Sequence, residues 1–355
     1  MNSLLNTVSS PVLMTSEGHL LVVTLNRPRV INSINLEMVR LLQAALEIAK
    51  NEPDIRAVIL RGSGERGFCA GADLKILGQA VQAGKAALAD QFFQEEYALD
   101  LAIHEFPKPV IVLADGVTMG GGLGLAAGAD LIIATERTRM ALPETRIGFI
   151  PDVGATGWLF DKCPAGYPEF LALTGYEIQG PETVRLGLAT AYCPSVHLPL
   201  IQGALTSFKL PLPPDRKAGA ALLQAEIGLF LESPPAFPCP LDDWVAEHFQ
   251  GKGTLVELLA SLSTCSLDSL VCREVWSRLG ERSPTALALT LKLLRHNKGR
   301  PLPEVFAAEA KAAAFIVRHP DYVEGIRARL LDKDDQPRWS PPEIQAVGSV
   351  PVDLG

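Results

Sequence analysis

Two glycine-rich stretches carry the spacing in this 355-residue chain that first suggests chemistry. Gly62-Ser-Gly64-Glu-Arg-Gly67 has the G-x-G-x-x-G form, and Gly122-Leu-Gly124-Leu-Ala-Ala127 nearly has it. A dinucleotide site also needs a helix opening at the glycines and a second strand ending in an acidic residue about 20 residues on. After Gly67 comes Phe68-Cys-Ala-Gly-Ala-Asp73, which stays loop-like, and the strand pattern at 131–135 follows the second stretch too closely. The nucleotide reading fails on both counts. Small residues have another use, because they let backbone N–H groups approach a ligand closely. A helix starting after Gly120-Gly121-Gly122 would add positive partial charge there. Two such donors aimed at one point make an oxyanion hole. Tight turns and close helix packing use the same glycines, so each stretch alone stays open to that plainer reading.

The elements that must position these stretches follow from periodicity. Residues 12–15 and 20–25 flank Glu17-Gly18 and read as a hairpin. Asn35 caps a helix whose apolar positions Met38, Leu42, Ala45, Leu46 and Ala49 recur at helical spacing. Residues 57–61 and 109–115 read as buried strands, 62–73 as a loop, and 86–105 as a helix that stops before Pro107. A small-residue helix ends near Gly128, strands cover 131–135 and 139–142, and a loop covers 143–152. Strands alternating with helices mean an α/β fold, although hairpins interrupt a pure βαβ pattern. The stretch 210–240 turns proline-rich and reads as a linker or irregular connection. Beyond it the pattern is helical, with Leu287, Leu291 and Leu294 on one stripe and an alanine-rich helix over 303–317. The expected division is a core over 1–200 and a mostly helical C-terminal region over 201–355.

Composition narrows the function. Hydrophobic residues make up 48% and charged residues 20%, enough apolar surface for a large core and too much for a disordered chain. The net charge of −8 argues against nucleic-acid and anionic-membrane partners. Residues 1–13 lack a basic n-region, and the apolar stretch 117–134 is broken by glycines and Asp130. A secretory leader and a membrane span are therefore not expected, and the cytoplasm is the default. Cys69, Cys163, Cys193, Cys239, Cys265 and Cys272 form no Cys-x-x-Cys pair and read as reduced thiols. Neither they nor the six histidines have metal-ligand spacing, so no metal is expected.

The glycine stretches do not stand alone. Phe68-Cys-Ala-Gly-Ala-Asp-Leu-Lys75 together with Val117-Thr-Met-Gly-Gly-Gly-Leu-Gly124 resembles the crotonase (enoyl-CoA hydratase/isomerase) superfamily. Phe93-Gln-Glu-Glu96-Tyr97, Leu142-Pro-Glu144-Thr-Arg-Ile-Gly-Phe-Ile-Pro-Asp152-Val-Gly154 and Leu171-Ala-Leu-Thr-Gly175 are similar to its 3-hydroxyisobutyryl-CoA hydrolase branch. So are His319-Pro-Asp-Tyr-Val-Glu-Gly-Ile-Arg327, Leu331-Asp-Lys-Asp334 and Pro337-Arg-Trp339. The resemblance spans 20–194 and 283–339 and is weak over 199–266.

The resemblance implies a spiral of ββα units with a helical C-terminal region, and an acyl-CoA substrate. It implies an oxyanion hole from the N–H groups of Ala72 and Gly121, with Ala70 and Lys75 contacting the CoA. Hydratases of the family carry a first catalytic glutamate where this chain has Gly124, whereas the second is retained as Glu144 and Asp152 follows as in the hydrolase branch. That pattern implies hydrolysis of a 3-hydroxyacyl-CoA, with 3-hydroxyisobutyryl-CoA of valine breakdown as the leading substrate. Glu144 would act as base or nucleophile, Asp152 would orient water or substrate, and Glu96 would bind the 3-hydroxyl. An enoyl-CoA hydratase using Glu144 alone and a non-catalytic CoA-binding protein are the alternatives. Plain structural roles are a cap for Glu144, an N-cap for Asp152, an exposed helix face for Glu96 and a solvated lysine for Lys75. No cofactor is implied beyond coenzyme A in the substrate, and the family's habits suggest a homo-oligomer, trimer or hexamer. The run Val153-Gly-Ala-Thr-Gly-Trp158 departs from the family's more glycine-rich and aromatic pattern.

Overall fold

In the computed structural model, residues 10–209, 211–234, 239–266 and 269–355 are described. Short apolar runs become strands and 3.6-period stripes become helices. β1 (Val12–Glu17) and β2 (Leu20–Leu25) form the expected hairpin, with Val12 opposite Leu25. α1 (Leu36–Asn51) begins where the Asn35 side chain accepts the Met38 N–H at 2.9 Å, and it buries the expected stripe. There follow β3 (Ala57–Gly62), β4 (Gly67–Cys69), α2 (Leu74–Gln82), α3 (Ala86–His104), β5 (Val110–Ala114) and β6 (Val117–Met119). Next come α4 (Gly121–Ala127), β7 (Leu131–Ala134), β8 (Arg139–Ala141), α5 (Ala155–Lys162), α6 (Tyr167–Thr174), β9 (Ile178–Gln179), α7 (Glu182–Arg185) and β10 (Ala191–Tyr192). The rest is helical: α8 (Leu198–Ser207), α9 (Arg216–Glu226), α10 (Pro240–Phe249), α11 (Leu255–Ser263), α12 (Leu270–Gly280), α13 (Pro284–Asn297), α14 (Leu302–Ile316) and α15 (Pro320–Ile326).

The chain gathers into two compact units, each from three segments. The first takes residues within 1–72, 98–140 and 178–236, and the second takes 73–97, 141–177 and 237–355. In the first unit a six-stranded sheet runs β1-β2-β3-β5-β7-β10, parallel except for β1. Its inner strands are mostly apolar, as strands covered on both faces are, and Val22, Ile59, Ile111 and Ile133 are core residues there. The second sheet is smaller, β4-β6-β8-β9; the first glycine stretch links β3 to β4, and the second lies in α4, after β6. Strand-strand-helix order recurs in β3-β4-α2 and β5-β6-α4, with the first strand of each pair in the large sheet and the second in the small one. This is the expected ββα spiral. The second unit is mostly helical, and Leu287, Leu291 and Leu294 of α13 are buried in it.

Three expectations need correction. β4 lies inside the loop expected over 62–73; three residues are too few for periodicity to reveal, and the strand exists because it pairs with β6. The stretch read as a linker contains α9, capped where Asp215 accepts the Ala218 N–H. Arg216 anchors it by an ion pair to Asp130 and by donating to the carbonyls of Ile103, His104, Phe106 and Gly128. Leu210 and residues 235–238 of that stretch, like 1–9 of the leader reading, lie outside the described residues. Cys265 and Cys272 are not reduced thiols but a disulfide. Their Cα atoms lie 6.4 Å apart, within the span a disulfide bridges.

Candidate active site

In the first unit the two expected oxyanion donors are neighbours. Ala70 N–H donates to Ile31 O and Ile34 N–H to Gly71 O, which pins the chain directly before Ala72. Gly121 is the first residue of α4, so its N–H has no acceptor within the helix. Gly71 (φ +91°) lets the loops approach: a Cβ there would sit 2.9 Å from Met119 O and 3.2 Å from Gly121 N. A Cβ on Gly122 would collide with the Cys69 carbonyl. Asn32 braces the same loop, its buried amide donating to the carbonyls of Ser63, Gly67 and Phe68. Ala70 is exposed beside it.

The carboxylates lie in the second unit, and there the structure brings Glu96, Glu144 and Asp152 together. Glu144 opens a 3-10 turn, Glu144–Ile147, that follows Pro143. The turn is tied down where Ser283 N–H donates to Thr145 O at 3.0 Å and Thr145 Oγ1 to Leu173 O. Glu144 is 5% exposed, Asp152 4% and Glu96 1%. Burial holds the Glu144 carboxyl well above the ordinary range, and the Asp152 charge adds to this. Asp152 is pushed up to about 7 by burial, opposed by the Tyr97 hydroxyl, which donates to its Oδ2 at 2.6 Å. Burial raises the Tyr97 and Tyr322 hydroxyls, and the nearby Asp152 and Glu96 charges add to this. Aromatic rings make the setting dry: Phe93 stacks on Phe149 at 4.8 Å, Tyr97 packs on Phe306 and Phe149 on Tyr322. Desolvated carboxyls beside one another, Glu144 and Asp152 raised above the ordinary carboxylate range, are equipped to move protons or attack an electrophile.

Burial sets aside the exposed-face alternative for Glu96. The residue capping α5 is Gly154, not Asp152. Lys75 is exposed on α2.

A model of the Enoyl-CoA hydratase/isomerase family matches residues 20–353. The chain belongs to that family. It is 33% identical over 352 residues to the 3-hydroxyisobutyryl-CoA hydrolase, mitochondrial, of Gallus gallus, covering 97% of this chain and 88% of that one. To the Rattus norvegicus protein of the same name it is 34% identical over 342 residues, covering 96% and 87%. Among solved structures, a carnitinyl-CoA dehydratase from Mycobacterium thermoresistibile superposes with a TM-score of 0.85 at 33% identity, covering 95% of this chain and 94% of that one. Membership makes this an enzyme of the crotonase superfamily, whose members bind acyl-CoA. Both curated relatives are mitochondrial by name, so the cytoplasmic default gains no support from them. Among the described residues no helix is long and apolar enough to cross a membrane.

Two residues of this family member's carboxylate cluster had no role in the sequence reading. Tyr97 stood in a matched block without an assignment. Glu309 of α14 is fully buried and lies beside Asp152. Its signal was present: it falls on the stripe Val305, Ala312, Ala313 and Ile316, where a carboxylate is out of place.

Proposed function

We propose that this enzyme hydrolyses the thioester of a 3-hydroxyacyl-CoA, with 3-hydroxyisobutyryl-CoA of valine breakdown as its substrate, releasing 3-hydroxyisobutyrate and CoA. The observation that carries the reading is Gly124. Hydrating an enoyl-CoA needs water and a proton delivered to adjacent carbons, a task for two carboxyl groups flanking the double bond. With glycine in place of the first, Glu144 is left with Asp152 beside it, which suits attack at the carbonyl carbon. The hydrolase names of curated relatives at 33% and 34% identity support the same choice. The dehydratase name of the solved structure favours the second reading, a lyase working with Glu144 alone, and Gly124 counts against it.

In the proposed reaction the thioester oxygen accepts the N–H groups of Ala72 and Gly121 as it becomes negative. Glu144 has two routes: it takes a proton from the attacking water, or it attacks directly to give a mixed anhydride that water then opens. Either way the C–S bond breaks and CoA leaves as thiolate, to be protonated. Asp152, held by Tyr97, orients the water or the substrate hydroxyl. Ala70 and Lys75 contact the CoA, and the reaction uses no metal or further cofactor. A homo-oligomer, trimer or hexamer, is the proposed assembly.

Glu96 carries the substrate class. If its buried carboxylate accepts the 3-hydroxyl, an analogue lacking that group forfeits a hydrogen bond to a charged group, about 1.5–3 kcal/mol or roughly tenfold to a hundredfold in kcat/KM. The measurement is kcat/KM for 3-hydroxyisobutyryl-CoA against isobutyryl-CoA, in wild type and Glu96→Ala. The preference should collapse toward one in the variant while thiol release itself survives. An unchanged ratio would withdraw the 3-hydroxy assignment.

A further inference from the structure

Asp152 is followed by a turn that its own backbone does not favour. Val153 has φ +55°, costly for a β-branched residue, and Gly154 has φ +77°. Such conformations persist where the surroundings over-determine them. α5 starts directly after this turn, and its cap residue, Gly154, has no side chain to satisfy the helix's first N–H groups. A carboxylate from another helix does so instead. Glu309 of α14 accepts the Gly154 N–H at 2.6 Å on Oε2. On Oε1 it accepts the Thr156 N–H at 3.1 Å and the Thr156 hydroxyl at 2.6 Å. Asn297 Nδ2 donates to Thr156 Oγ1 at 2.8 Å, which leaves the hydroxyl proton for Glu309.

Every partner of Glu309 in this set is a donor, and two are backbone N–H groups at a helix start, where negative charge is favoured. Burial nonetheless pushes its carboxyl up to about 8, with the Asp152 charge adding and the Thr156 and Gly154 donors opposing. Asp152 is thus gripped twice: its carboxylate by Tyr97, and the backbone that follows it by Glu309.

We propose that Glu309 is a positioning residue for the thioester site, a cap supplied by α14 that holds the strained Asp152-Val153-Gly154 turn and with it the direction of the Asp152 carboxylate. The inference rests on the hydrolase reading for its kinetic consequence but not for its structural one. Glutamine matches glutamate in size but has one acceptor oxygen, so in Glu309→Gln at least one of the three donors faces an NH₂ group. Small displacements of a catalytic group cost up to about a hundredfold.

The test uses the full chain, assayed by thiol release from 3-hydroxyisobutyryl-CoA, with amide hydrogen exchange measured on the same samples. In Glu309→Gln, kcat should fall about tenfold to a hundredfold with KM within about threefold. Exchange should quicken at residues 153–157, while α6 and α13 keep their protection. Thr156→Val should move both readouts the same way, and Thr156→Ser should restore them. A Glu309→Gln enzyme with kcat within about twofold of wild type would overturn the proposal. So would exchange that quickens equally in α5, α6 and α13, the mark of a general loss of stability. Wild-type protein that releases no thiol would sink the hydrolase reading instead, and the local exchange would still decide whether Glu309 holds the turn.

Discussion

Glu144→Gln should bind acyl-CoA about as tightly as wild type and lose turnover by about 10²–10⁴-fold. Glutamine keeps the shape of a side chain that is almost wholly buried, and it can neither take a proton nor attack a carbonyl. The same pair of groups sets the pH dependence. The Glu144 carboxyl lies well above the ordinary range, and Asp152 is raised to about 7. A base or nucleophile must first be ionised, so kcat/KM should rise with pH along an acid limb above the ordinary carboxylate range. That limb belongs to the pair rather than to either residue. The Asp152 charge raises Glu144, so removing it in Asp152→Asn should move the limb to lower pH, with the Asn oxygen still open to the Tyr97 hydroxyl. Wild-type turnover in Glu144→Gln would take Glu144 out of the mechanism.

Gly121→Pro should cost about 10²–10³-fold in kcat, the usual loss for one oxyanion donor. The Gly71 loop packs close to the Gly121 nitrogen, so the ring can also disturb the fold and the variant is read only when folded. Gly121 is the first residue of α4, where proline's fixed φ suits a helix and its missing N–H breaks no helical hydrogen bond. What disappears is the N–H beside the Gly71 loop, replaced by a ring carbon in the space the oxygen would occupy. The reading is kcat in a variant whose circular dichroism and unfolding midpoint match wild type. Full activity in such a variant would place the donors elsewhere.

The strands and helices with strong periodicity were legible in the sequence: the hairpin, the Asn35-capped helix and the α13 stripe stand where the pattern put them. β4 was not, because a three-residue strand is defined by its partner and not by its own residues. α9 was masked by the prolines around it, whose turn signal outweighed an eleven-residue helix held in place by Arg216. The Cys265–Cys272 bond escaped a spacing rule made for Cys-x-x-Cys pairs, since residues seven apart in sequence come within bridging distance only through the fold. Within the site, Glu96, Glu144 and Asp152 were accessible through motif resemblance. Their neighbours were less so: Glu309 contacts Gly154 from 155 positions away, a separation no local pattern spans. Its place on an apolar stripe was the one available clue.

Thiol release and enoyl absorbance, followed side by side on purified enzyme, test the central claim most directly. The substrates are 3-hydroxyisobutyryl-CoA and the matching enoyl-CoA, methacrylyl-CoA. The account predicts free thiol from the hydroxyacyl thioester, one CoA for each 3-hydroxyisobutyrate formed, and no loss of enoyl absorbance. Loss of enoyl absorbance without thiol release would contradict it and make the enzyme a lyase.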